Sequence, residues 1–165
     1  MPKKIKINDV RRIDIGCGTP EQKYPGTVGI DPNPNYRPDI LLNVENGLPF
    51  KEGSIEFINS NNSLEHTKNP YFVLTEMYRV LKPKGTVRLV LPNCQYFPLL
   101  FINVVMDLDK FWHWYMNLPH KKERSIHWHL FTKHLAVKMV EDVGFKVKTK
   151  RGFLWGKEFE LILTK

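Results

Sequence analysis

Residues 12–18, Arg12-Ile13-Asp14-Ile15-Gly16-Cys17-Gly18, decide the fold. The β-branched Ile13 and Ile15 suit a buried strand. The glycines at its end let the main chain bend tightly and approach a ligand with no side chain between them. A glycine pair alone is equally a simple turn. The next stretch adds weight. Thr27-Val28-Gly29-Ile30-Asp31 reads as a second strand, stopped by Pro32, and Asp31 stands thirteen residues after Gly18. In open α/β sheets, ligands sit at the carboxyl ends of the strands. A carboxylate there can accept both hydrogen bonds of a ribose diol. Glycine bend and Asp31 together read as a nucleoside site, against the plainer reading of Asp31 as the start of the Asp31-Pro32-Asn33-Pro34 turn.

Working outward, Ile40 to Val44, Ile55 to Asn59 and Thr86 to Leu91 read as three more strands. Their near-continuous apolar content fits a parallel sheet covered on its faces. The spacing of Val73, Leu74, Met77, Val80 and Leu81 predicts a helix from Pro70 to Leu81, with Asn69 as N-cap and Pro70 in its first turn. Lys82-Pro83-Lys84-Gly85 ends it. A second helix, Lys133 to Val143, has Thr132 as cap, Leu135, Met139, Val140 and Val143 as its stripe, and Gly144 as its stop. Phe145 to Lys150 and Phe159 to Thr164 form a closing hairpin, and the alternating lysines of the first are its wet face. The class is α/β with a parallel sheet and an antiparallel tail. Only eight residues separate Gly18 from Thr27, and eight separate Asp31 from Ile40. Neither gap holds a full helix, so one side of the sheet is thinly covered, with the arm Lys3 to Val10 as a candidate cover. An uncovered apolar face predicts a partner, in the first place a homodimer.

Composition bounds the rest. The chain has 165 residues, 42% hydrophobic and 25% charged, the size and make-up of one globular domain. No apolar run approaches the ~20 residues of a membrane helix, and the start has no apolar stretch of a secretory signal. The two cysteines cannot build a disulfide framework; two free thiols in a reducing cytoplasm are the expectation. The net charge of +8 favours acidic partners such as nucleic acid or phosphorylated substrates.

A dinucleotide site places Gly-x-Gly-x-x-Gly at the start of a helix, where the pyrophosphate meets the helix N-terminus. Here Thr19-Pro20-Glu21 follow Gly18, with no third glycine in register. An adenosine ligand without phosphates fits better. At this point the chain resembles the class I S-adenosylmethionine-dependent methyltransferases, and among them the small group with LEH and RVLKPGG-like signatures. The likeness rests on Ile13 to Gly18, Gly29-Ile30-Asp31, Leu48-Pro49-Phe50, Gly53 to Ile58, Leu64-Glu65-His66, Glu76 to Gly85 and Leu91-Pro92-Asn93. It implies one domain over 1–165 with a Rossmann-like, seven-stranded, mostly parallel sheet and an antiparallel last strand; the reduced helices after strands 1 and 2 depart from the family's pattern. It implies S-adenosylmethionine as cofactor. Gly16, Cys17 and Gly18 would lie against its methionine part, supported by Asp14. Asp31, followed by Pro32, would hold the ribose. Asn43, where the family has an acidic residue, and Val44 would meet adenine. Asn61 and Asn62, in the stretch Asn59 to Ser63, would floor the cleft near the sulfonium. Lys84 replaces a common glycine.

Methyl transfer from a sulfonium needs alignment and exclusion of water more than a universal catalytic residue. A general base helps for a hydroxyl or a protonated amine, and His66, His127 and His129 are the candidates. His127, His129 and His134 could also form a metal site, but no acidic or cysteine partner has a familiar spacing, and no metal is expected. Residues 93–131 hold nine of the twenty aromatics and read as an insertion or lid. The acceptor, whether small molecule, nucleic acid or protein, is open. Two rivals are a basic nucleic-acid-binding module with a vestigial pocket and a nicotinamide-dependent oxidoreductase.

Overall fold

The computed structural model describes residues 5–95, 128–150 and 157–165. Its strands are β1 (Arg12–Ile15), β2 (Val28–Asp31), β3 (Ile40–Leu41), β4 (Ile55–Asn61), β5 (Leu81–Pro92), β6 (Lys146–Lys150) and β7 (Glu158–Thr164). They form one sheet in the order β3-β2-β1-β4-β5-β7-β6. β1 to β5 pair in parallel, and β7 runs antiparallel to both β5 and β6. This is the α/β sheet the sequence predicts, with the antiparallel strand where it was placed. Two α-helices are described, α1 (Pro70–Val80) and α2 (Lys133–Val143).

Local chemistry sets the bounds. Asn69 accepts a hydrogen bond from Phe72 N at 3.0 Å and starts α1. Thr132 does the same for α2 through Leu135 N, also at 3.0 Å. Gly144, at φ 109°, ends α2. β3 is shorter than expected. The side chain of Asn43 accepts from Glu45 N at 3.0 Å and draws the chain out of the sheet into a 3-10 turn, Val44–Asn46. Asparagine competes with sheet pairing in this way. β4 instead runs two residues past Asn59, and β5 starts directly at the end of α1. Between β1 and β2, and between β2 and β3, no α-helix stands; the second gap holds only a 3-10 turn, Pro34–Tyr36.

Register separates the two faces. Ile13, Ile58, Val87 and Leu163 are cross-strand partners, and each is 0% exposed. They share one core with Val73, Leu74, Met77 and Val80 of α1 and Ala136 and Val140 of α2. Burying each large apolar side chain contributes about 1.5–3 kcal/mol. The α2 stripe differs from expectation: Leu135 is exposed, and Ala136 faces the core instead. The adjacent row, Asp14, Asn59 and Arg88, faces the other way. Here Asn59 donates to Asp14 Oδ1 at 2.6 Å, while Arg88 donates to Asn59 Oδ1 at 3.0 Å and to Glu160 Oε2 at 2.9 Å. The Arg88 guanidinium lies 5.7 Å from the Tyr24 ring, and Arg12 lies 4.3 Å over the Phe57 ring. The sheet face turned away from α1 and α2 therefore carries a paired polar row among the described residues, with Phe57 in the same register, where the sequence reading expects an uncovered apolar surface. The described part of the N-terminal arm does not lie across it. Val10 is buried in the helix-side core, with Ile5 and Ile7 packed against that core. Most of the aromatic stretch 93–131, including His113, His120 and His127, lies outside the described residues.

Candidate functional site

A cleft of about 510 Å³ opens at the carboxyl ends of β1, β2 and β4, within the range of small-ligand sites. Asp14, Gly16, Cys17, Gly18, Asp31, Pro32, Asn43, Val44, Asn61 and Asn62 all line it. The structure thus gathers in one cleft the ten residues that the family resemblance implies for the cofactor.

The bend after β1 is built on glycine. Gly16 has φ +66°, and a Cβ there would stand 2.3 Å from the Ser63 Cβ. Ser63 in turn donates to the Ile15 carbonyl at 3.1 Å. The two chain ends that make the cleft floor are therefore in direct contact, and only a glycine fits between them. Gly18 N donates to Asp31 Oδ2 at 3.1 Å, and Asn33 N donates to Oδ1 at 2.9 Å. These bonds fix the Asp31 carboxylate at the cleft wall and leave each oxygen with a further lone pair for a ligand. Asp14 accepts from Tyr24 N at 2.7 Å as well as from Asn59. Its burial raises its pKa above the usual value despite these bonds. Cys17 is buried, and burial followed by the charges of Asp31 and Asp14 pushes its thiol up to about 12. It is an inert wall, not a nucleophile.

The wall holds residues the sequence reading did not assign: Gln22, Asn33, Tyr36, Glu45 and Thr67. Turn signals at Asn33-Pro34 were visible, but nothing local shows that the turn places Tyr36 on a cleft. Nothing local in the sequence marks Lys23 and Asp39 either. Asp39 Oδ2 takes both Lys23 Nζ at 2.6 Å and Gly29 N at 2.7 Å, clamping the two short crossovers together. Of the candidate bases, His66 lines the cleft. His129 does not; its Nε2 lies 3.2 Å from the Lys68 carbonyl. His127 is outside the described residues. Among the described residues, no group of three His, Cys, Asp or Glu could hold a metal, and no helix is long and apolar enough to cross a membrane.

The charge of the wall decides its ligand. Asp14, Asp31 and Glu45 line it, with His66, and no lysine or arginine does so among the described residues. On a chain of net charge +8, this is an acidic hollow in a basic protein. No helix follows Gly18 to hold a pyrophosphate at its N-terminus, and the acidic lining suits a cation.

Comparison with known proteins agrees. Residues 13–89, just under half of the chain, match the methyltransferase domain family. An uncharacterized methyltransferase of Mycobacterium tuberculosis is 33% identical over 73 residues, covering 38% of this chain and 29% of the relative. The chain spans under a third of the length of the curated relatives it matches. A S-adenosylmethionine-dependent methyltransferase from Thermotoga maritima superposes with a TM-score of 0.68 at 18% identity, over 95% of this chain and 83% of that one. One from Mesorhizobium loti gives 0.66 at 12%, over 98% and 94%. At such identities the structural likeness is one of fold. The matches thus show a region resembling a methyltransferase domain over residues 13–89 and a methyltransferase-like fold.

Proposed function

We propose that the chain transfers a methyl group from S-adenosylmethionine to an acceptor nucleophile. The observation that carries this reading is the acidic, phosphate-averse cleft in which the Gly16 bend meets the fixed carboxylate of Asp31. The residues fit the cofactor. Asp31 has lone pairs left for the ribose hydroxyls. Asn43 spends its Oδ1 on Glu45 N, so its Nδ2 is the group that would meet adenine, beside Val44. Gly16, Cys17 and Gly18 leave room for the methionine arm, with Asp14 behind them, and Asn61 and Asn62 floor the end towards the sulfonium.

The bound sulfonium supplies a methyl group that is already electrophilic. The chain's contribution is to hold donor and acceptor in line and to keep water out. The wall from Asn61 to Thr67 is the side from which an acceptor would approach. His66 lies on it and is the described histidine placed to take a proton from a hydroxyl or an ammonium. The same acidic wall argues against a nicotinamide dinucleotide.

Calorimetry with S-adenosylhomocysteine tests the reading. We expect binding to wild type, a loss of at least tenfold in Asp31→Ala, and no competition from NAD. Failure of the wild-type protein to bind, or an unchanged affinity in Asp31→Ala, would end it.

A further inference from the structure

Among the described residues, three buried side-chain polar atoms have no hydrogen-bond partner: Asn62 Oδ1 and both carboxyl oxygens of Glu65. All three are on the turn that leaves β4. The residues on either side of Glu65 line the cleft, Asn61 to Ser63 before it and His66 and Thr67 after it. Glu65 itself is turned behind this wall and is 0% exposed. It is held there by its main chain, whose carbonyl accepts from Trp128 N at 2.8 Å and His129 N at 3.3 Å.

A carboxyl this dry ordinarily has a donor or a cation beside it. Glu65 has neither. The nearest charge partner among the described residues, His66 Nε2, is 4.0 Å from Oε1, beyond hydrogen-bond reach. Glu158 on β7 is a like charge that opposes ionisation. His129, on the stretch that covers the turn, directs its ring to the Lys68 carbonyl instead. Burial lifts the Glu65 carboxyl to about 8, so the unliganded chain holds it neutral at pH 7. Leaving such a group unmatched costs stability. The missing partner is a positive charge, and the cleft on the other side of the wall is where one would arrive.

We propose that Glu65 is the charge sensor of the cleft, the residue by which the chain distinguishes the sulfonium of S-adenosylmethionine from the neutral sulfur of S-adenosylhomocysteine. This inference rests on the methyl-transfer reading. With a cation in the cleft, Glu65 loses its proton to solvent, and the resulting carboxylate attracts the sulfonium through a wall with little water to screen it. Once the methyl has left, with the C–S bonding pair on sulfur, the cation is gone. Glu65 takes a proton back, and the cleft loses its preference for what it holds. The device favours substrate over product without touching the acceptor.

The test is isothermal titration of wild type and Glu65→Gln with both ligands at pH 6 and pH 8, plus runs at pH 7.5 in two buffers of different ionisation enthalpy. Gln has the shape of the neutral carboxyl and cannot ionise. We expect S-adenosylmethionine to release about half a proton or more at pH 7.5 in wild type, and S-adenosylhomocysteine to release none. The affinity ratio of the two ligands should rise about tenfold from pH 6 to pH 8 in wild type, beyond any change in the variant. The variant should bind S-adenosylhomocysteine as wild type does. Equal proton release and an equal ratio in the two proteins would overturn the proposal. If the variant does not fold, the wild-type proton count decides: no excess for the sulfonium ligand overturns it. Should wild type bind both ligands without discrimination, only this inference fails. Should it bind neither, the methyl-transfer reading fails and takes this inference with it.

Discussion

Single residues at the cleft are constrained by space and backbone more than by charge. Gly16 combines a left-handed φ with a side chain already occupying the Cβ position. Gly16→Ala should therefore cost about 2 kcal/mol or more in stability and weaken S-adenosylhomocysteine binding at least tenfold; urea unfolding and calorimetry check both. Lys84 is the opposite case. It replaces the glycine of the RVLKPGG-like signature, and it sits at φ 65°. An L-residue pays for that conformation, so the replacement is not neutral, and Lys84→Gly should raise stability by roughly 0.5–1 kcal/mol. A variant less stable than wild type would show that the Lys84 side chain makes a contact worth more than the strain. The glycine bend and Asp31 were legible in the sequence because their chemistry is local. The orphaned carboxyl of Glu65 was not. Leu64-Glu65-His66 drew attention to the histidine, and only the packed structure shows which of the two charged side chains is dry.

At the scale of elements, the signature running from Glu76 to Gly85 has a mechanical explanation. Glu76 and Arg79 lie one turn apart on α1, and the Arg79 guanidinium grips both Glu76 oxygens, at 2.6 Å and 2.8 Å. Its remaining donors take the Phe50 carbonyl at 2.9 Å and the Leu48 carbonyl at 3.0 Å. Glu76 Oε2 closes the circuit by accepting from Leu48 N at 2.8 Å. The helix thereby fixes the Leu48-Pro49-Phe50 loop, and with it the Val44–Asn46 turn at the edge of the cleft. The arginine hydrogen bond is the main reason the Glu76 carboxyl is held below its usual pKa. Glu76→Ala strands Leu48 N and most of the guanidinium, and should cost about 2–3 kcal/mol. Chemical denaturation measures it, and a loss under 0.5 kcal/mol would contradict the clamp. The two halves of this device were visible as matching stretches, but their contact spans 28 residues and no periodicity reports it. Leu135 failed for a related reason: on a short amphipathic helix, the boundary of the buried stripe is set by the packing partner, here α1, rather than by spacing.

The whole molecule has a sheet with helices on one described face and a paired polar row on the other. The apolar strands were legible because β-branched residues crowd them. The polarity of the second face was not, because Asp14, Asn59, Arg88 and Glu160 come from four strands and become a network only in register. That arrangement leaves the balance of stability against pH to a few carboxyls. Glu76, with a folded pKa lowered by Arg79, contributes stability above pH ~4.5 that is lost as the pH falls through its folded value. Glu65 acts in the reverse direction. Its folded pKa, about 8 against 4.5 for the free side chain, means that the native state binds the extra proton between these values. Stability contributed by Glu65 is full below pH ~4.5 and is lost as the pH rises towards 8, at up to about 1.4 kcal/mol per pH unit. The two effects, with the raised folded pKa of Asp14 acting in the same sense as Glu65, put the maximum for the chain on the acid side of neutrality. Thermal unfolding from pH 4 to pH 9 should show this maximum. Glu65→Gln should remove the Glu65 share of the decline above it, gaining on the order of 3 kcal/mol over wild type at pH 8 and almost nothing at pH 5. Parallel curves for the two proteins would mean that Glu65 ionises no differently in the folded chain than in the unfolded one.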